Sequence, residues 1–145
     1  MIYLGADHGG YTMKELLKTW LDERGVGYVD CGAFERNPKD DYPQFAHAVA
    51  SKVAQNKKHK GILICRSGNG VAMAANKTRR IRTAVCWSMR SARKSVEDDH
   101  ANILALPSDY ISGADAKKIT RAWLEARPSR AERHERRVQN IELRS

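Results

Sequence analysis

The chain has 145 residues, 41% of them hydrophobic and 30% charged, with a formal net charge of +9. That length holds one domain with a core of its own, residues 1–145, and too little for two. No apolar run approaches the ~20 residues of a membrane span, and the start MIYLGADHGG has no leader-like basic and apolar stretch.

The elements alternate along the chain. Residues 2–6 form a short apolar run ending in Gly-Ala-Asp-His-Gly-Gly, after which Met13, Leu16, Leu17, Trp20 and Leu21 recur at helical spacing until Gly25. Residues 27–31 read as a second strand and 32–43 as a polar loop of turn formers. Phe45, Ala46, Val49 and Val53 mark a second helix. GILIC, residues 61–65, is a continuous apolar strand of the kind buried on both faces. It breaks into Arg-Ser-Gly-Asn-Gly at 66–70, followed by a helix over 71–77, a strand over 82–87, a helix over 89–96 and a fifth strand over 101–106. Ser112 is placed to cap a helix that reaches Ala126, and Pro128 stops it. The last helix, 131–143, has only Val138, Ile141 and Leu143 as apolar contacts. It cannot make a core and is expected to lie on another surface, that of a partner subunit.

This order predicts a doubly wound, Rossmann-like α/β fold with a five-stranded parallel sheet. Ligands of such sheets bind at the carboxyl ends of the strands, where the loops 5–10, 32–43 and 65–70 fall. In 65–70 two glycines permit a tight turn, and the following helix directs free N–H groups at it. Such donors suit a phosphate or a developing oxyanion, although the bare pattern also fits an ordinary turn. The GK[ST] ending of a Walker loop and the GxGxxG dinucleotide fingerprint are both missing. Cys65 ends the central strand beside this loop, where a thiol can serve as nucleophile or base or simply pack as a small hydrophobe. Cys31 and Cys86 are expected in the core. Three cysteines with no CxxC pair argue against a disulfide scaffold or zinc knuckle and for a reducing cytoplasm. His8, beside Asp7, can donate to a phosphate or a sugar hydroxyl; Tyr42 is presented by Pro43 or merely packs.

Charge is segregated. Residues 1–50 are slightly acidic, whereas 77–94 carry seven basic side chains and no acid, and 117–145 are again basic. Such a field draws anions, either a phosphorylated metabolite or a nucleic acid. Aromatic residues are only 7%, so the stacking platform of an RNA-binding surface is missing and nucleic acid is the weaker reading.

Together, GADHGGY, DYP, ILIC followed by SGNG and AANK, DDHANILAL, and RHERRV near the end resemble the ribose-5-phosphate isomerase type B family, which includes isomerases of galactose 6-phosphate and allose 6-phosphate. The resemblance spans residues 2 to about 141. It implies an aldose–ketose isomerase without metal or organic cofactor, working as a homodimer or dimer of dimers through a cis-enediolate. It also implies Cys65 as base and Ser67 as its neighbouring hydroxyl, with the amides of Ser67, Gly68, Asn69, Gly70 and Val71 holding the enediolate oxygen. Another branch carries Glu where Val71 stands here. Asp7 and Tyr42 match residues lining the sugar, His8 a phosphate contact, and Arg133 and Arg137 the arginines that reach the partner's phosphate from residues 128–145. The substrate is expected to be ribose 5-phosphate, with another phosphosugar (a hexose 6-phosphate or a tetrose phosphate) as the alternative.

Three positions depart from the family pattern. Asp98 stands where the family has its ring-opening His, with Asp99 next to it toward the substrate, and His100 is displaced by two residues. Asp109 replaces a phosphate-binding Arg, and Arg66 replaces the Gly after the catalytic Cys. Asp98 is therefore expected to act as the ring-opening acid/base, or the sugar to be taken open-chain. Arg66 is expected to pair with Asp109 and restore positive charge.

Overall fold

The structure, a computed structural model, describes residues 1–143; Arg144 and Ser145, the end of the expected partner-contacting segment, lie outside the described residues. The strands are β1 (Ile2–Ala6), β2 (Tyr28–Asp30), β3 (Lys60–Cys65), β4 (Thr83–Val85) and β5 (Ile103–Pro107). The helices are α1 (Tyr11–Glu23), α2 (Tyr42–Val53), α3 (Asn69–Ala75), α4 (Met89–Asp99), α5 (Gly113–Glu125) and α6 (Glu132–Glu142). All strand pairs are parallel, in the order β2-β1-β3-β5-β4. No described helix is long and apolar enough to cross a membrane.

The expected elements are all present, with shifted ends. The edge strands β2 and β4 are only three residues long, because an edge position pairs on one side and stops where that pairing stops. Cys31 and Cys86 therefore fall just beyond strands rather than inside them; Cys86 is buried and Cys31 half-buried. Helix α2 begins at Tyr42 because Pro43, with its fixed φ, occupies the first turn.

Period-two alternation gives the sheet two buried faces. Ile2, Leu4, Ala6, Ile62, Ile64, Leu104 and Leu106 meet α1, α4 and α5, whereas Leu63, Cys65, Ile103 and Ala105 meet α2 and α3. Helix α1 sends Met13, Leu17 and Leu21 inward at four-residue spacing. It ends in a Schellman turn: the Val26 amide donates to Leu21 O and the Gly25 amide to Asp22 O, both at 3.0 Å, with Gly25 at φ +66°. The start of α1 passes so close to β3 that a Cβ on Gly10 would lie 2.4 Å from the Ile64 carbonyl oxygen. Ser112 caps α5 by accepting from the Asp115 amide at 3.0 Å. None of the residues of α6 is buried, as its composition requires.

A charged side chain also penetrates the first core. The fully buried Lys14 donates to both Asp30 carboxylate oxygens at 2.8 and 2.7 Å and to Ala33 O at 2.7 Å. Lys18 joins it on Asp30 at 2.8 Å. Burial alone would raise the Asp30 carboxyl, but the bonds from Lys14, Lys18 and the Gly32 amide outweigh it and hold it below its usual value. A carboxyl lowered on folding contributes stability above its unfolded value near 4, and that contribution is lost as pH falls through the folded value. Asp30→Asn is expected to flatten the decline of the urea midpoint below about pH 4, measured as midpoint against pH beside the unsubstituted chain.

Candidate active site

The sheet order reverses direction on either side of β1 and β3, and the carboxyl ends of these two strands open the crevice where such sheets bind ligands. Cys65 is the last residue of β3, on the face toward α2 and α3. Its side chain is at the rim of the second core, 5% exposed, and Sγ accepts a hydrogen bond from the Gly68 amide at 3.2 Å. The turn that makes this bond needs Gly68 at φ +76°, and a side chain there would press Val85 and the Pro107 nitrogen. Ser67 Oγ accepts from the Asn69 amide at 3.2 Å. The amides of Gly70 and Val71 open α3, where the helical ladder offers them no acceptor. Burial pushes the thiols of Cys31 and Cys86 up, which keeps both in the protonated, unreactive form.

Two glycines let neighbouring side chains reach this turn. A Cβ on Gly70 would sit 2.6–2.9 Å from the Tyr42 ring, and one on Gly9 would sit 2.6 Å from Arg66 Cγ. Tyr42 thus lies against the SGNG turn and Arg66 across the GADHGG loop. Arg66 also meets Asp109, Nη1 to Oδ1 at 3.5 Å, the pairing expected from the sequence. Asp7 is buried and turned inward, its Oδ1 accepting from the Gly9 and Gly10 amides at 3.0 and 3.1 Å. His8 is half-buried and held by Asp40, whose Oδ1 accepts from His8 N at 3.0 Å and from Nδ1 at 2.7 Å.

Sequence reasoning missed Asp40 and Ser108. Asp40 was visible only as one more turn former in Asp40-Asp41-Tyr42-Pro43. Ser108 ties the strand ends together, its Oγ 2.9 Å from the Gly9 carbonyl oxygen and 3.2 Å from that of Cys65; a lone serine after a strand carries no signal for this. Asp7, His8 and Asp40 are also the residues whose ligating atoms cluster, within 4.8 Å of one another, as a metal site would need. The hydrogen bonds just given already account for that cluster.

The remaining expected residues lie elsewhere. Cys65 pairs with Pro107 and Gly61 with Ile103, so Asp98 and Asp99, which precede β5, stand at the opposite end of the sheet. The separation is at least about 13 Å along the strands. Within one chain Asp98 therefore does not reach Cys65. It contacts Lys94 at 3.4 Å and His134 at 3.6 Å. Asp99 lines a cavity of about 420 Å³ with Arg82, Thr83, Ile141 and others, remote from the thiol. His100 is occupied structurally, Nε2 donating to Ser129 O at 3.0 Å. Arg133 and Arg137, one turn apart on α6, are exposed and make no ion pair among the described residues, whereas Arg130 and Arg136 are paired to Glu135 and Glu132.

A thiol, a turn of free amides and an imidazole at the switch point of a parallel sheet make an α/β arrangement suited to an anionic ligand, without a nucleotide fingerprint. The family model described as Ribose/Galactose Isomerase matches residues 2–141, and the chain belongs to that family. A ribose-5-phosphate isomerase B of Escherichia coli K12 is 39% identical over 140 residues, covering 97% of this chain and 93% of that protein. One from Mycobacterium tuberculosis H37Rv is 36% identical over 137 residues, 94% of this chain and 85% of that one. The crystal structure of the Mycoplasma genitalium ribose-5-phosphate isomerase B with bound ribulose-5-phosphate superposes with a TM-score of 0.94 at 36% identity, covering 99% of this chain and 94% of that one.

Gly70→Ala is expected to cost about 1–3 kcal/mol through the clash with the Tyr42 ring. Adding Tyr42→Ala should return part of that loss, measured by chemical unfolding of both variants.

Proposed function

We propose that the chain interconverts ribose 5-phosphate and ribulose 5-phosphate by moving a proton between C1 and C2, through a cis-enediolate. The observation that carries this is the buried Cys65 sulfur held at the mouth of an amide-lined turn, in a chain whose relatives of 36–39% identity bear that activity in their names. Cys65, as thiolate, takes the proton from carbon and returns it to the neighbouring carbon. The Gly70 and Val71 amides, with the Ser67 hydroxyl, stabilise the enediolate oxygen as its charge develops. Tyr42 and Asp7 line the sugar, and His8 contacts the substrate through the ring nitrogen that Asp40 leaves open. The thiol works without metal or organic cofactor. Three free thiols suit a reducing cytoplasm.

The site is completed by a second copy of this chain. Asp98 and the α6 arginines stand too far from their own Cys65, and Arg133 and Arg137 make no ion pair among the described residues. Met73, Trp87 and Met89 expose apolar surface around the α3–β4 edge that a second copy would cover. In this arrangement residues 1–145 are one domain and the segment 128–145 docks on the partner, gripping its phosphate. Asp98 opens the ring from across the interface, in place of an imidazole.

Cys65→Ala should lower kcat by more than the ~10²–10³-fold that loss of one oxyanion donor costs, with substrate binding kept. Arg137→Ala should raise KM roughly ten- to hundredfold, the worth of one charge-assisted bond, because the phosphate is gripped alike in ground and transition states. Mixing the two variants should recover low-KM turnover, since one hybrid site then holds both intact residues. Turnover at high KM only would place Cys65 and Arg137 in the same subunit's site. Arg66→Gly with Asp109→Arg should shift KM while leaving the melting temperature nearly unchanged, because an exposed pair adds under ~1 kcal/mol.

A further inference from the structure

The geometry points to Asp40 as a positioning residue for His8: one buried carboxylate oxygen takes both its main-chain amide and Nδ1–H, so Nε2 is the atom turned to the phosphosugar. This rests on the reading of His8 as a substrate contact. The Asp40 side chain is 5% exposed, and its other oxygen, Oδ2, is buried with no hydrogen-bond partner among the described residues. Burying a carboxylate with one oxygen unmet is costly, so its local uses decide what holds it there. It does not cap α2: that position belongs to Asp41, which makes no side-chain cap bond. It pairs with no Lys or Arg among the described residues; its single ionisable partner is His8, 32 residues away in sequence.

The loop that delivers Asp40 is fixed at its root. Ala6 N donates to Gly32 O at 2.9 Å, Ala33 N donates to Ala6 O at 2.8 Å, and the buried Lys14 donates to Ala33 O. Asp40 N donates to Asn37 O at 3.0 Å, closing the turn before it. The carboxylate is thereby presented to His8 by a segment anchored in the first core. With Nδ1–H donating to Asp40, the imidazole is held in one tautomer and one ring orientation, and Nε2 is left as an acceptor, which meets a sugar hydroxyl of the substrate rather than a phosphate oxygen.

The test combines nitrogen-15 spectroscopy of the histidine rings with kinetics. In the full-length protein the His8 signals, assigned by their loss in His8→Gln, should show Nδ1 protonated, and Asp40→Ala should move the ring toward the Nε2–H tautomer. Asp40→Ala should raise KM for ribose 5-phosphate about tenfold and leave kcat within about threefold, whereas Asp40→Asn, which keeps an acceptor oxygen, should recover most of that loss. In a His8→Gln background Asp40→Ala should add nothing further, because its effect passes through the ring. An unprotonated Nδ1 in the unsubstituted protein, or the same KM penalty with His8 already replaced, overturns the assignment. If the protein turned over no ribose 5-phosphate at all, the reading of the site would fail, while the nitrogen signal would still decide whether Asp40 fixes the ring.

Discussion

In a parallel sheet every strand ends on the same edge, and that constraint sorts the polar side chains of this chain into two groups. Asp7, His8, Cys65 and the SGNG turn follow the ends of β1 and β3, while Tyr42 reaches the same edge at the start of the helix leading into β3. Asp98 and Asp99 precede the start of β5, and α6, the helix that carries Arg133 and Arg137, packs beside them through His134. No rotation of a side chain spans the length of β3, so within one chain the two groups do not meet, and the proposal of a second copy rests on that geometry. The sheet also fixes which face the thiol takes, since alternation sends Cys65 to the side of α2 and α3, where Tyr42 and the free amides stand.

Within the first group, close approach decides the shape. Gly9, Gly10 and Gly70 are positions where a single added carbon would meet Arg66, the β3 backbone or the Tyr42 ring. Their absence of a side chain draws three loops into one crevice. Asp7 illustrates the division of labour. Its carboxylate spends one oxygen on two amides of its own loop, which makes it first a brace for the GADHGG turn. The buried Lys14–Asp30 pair does similar work below, tying the loop after β2 to α1.

The alternation of apolar runs with helical spacing made the sheet legible before any coordinates, because β3 and β5 are buried on both faces and carry continuous hydrophobic sequences. The strand ends were less legible: β2 and β4 stop where their single neighbour stops, which composition does not encode. Cys65 and the SGNG turn were readable since each is local to a strand terminus, whereas the Arg66–Asp109 pair was legible only through the departure of both positions from the family pattern. Asp40 was not, because its partner lies across a fold whose loops sequence spacing does not locate. Asp98 was readable as a residue type but not in place, for its distance from the thiol follows from strand direction and register alone.

The electrostatics of the crevice follow from where cations are free. Lys14 and Lys18 are both committed to Asp30. Arg66 is exposed and meets Asp109 at the limit of an ion pair, 3.5 Å, a contact worth under ~1 kcal/mol in water. A dianionic phosphate offers a guanidinium two close oxygens and a fork geometry that a single distant carboxylate oxygen does not. Asp109 therefore leaves the charge of the exposed Arg66 largely unneutralised. The same reasoning separates the arginines of α6: Arg136 is paired to Glu132 along the helix, whereas Arg133 and Arg137, one turn apart and exposed, make no ion pair among the described residues.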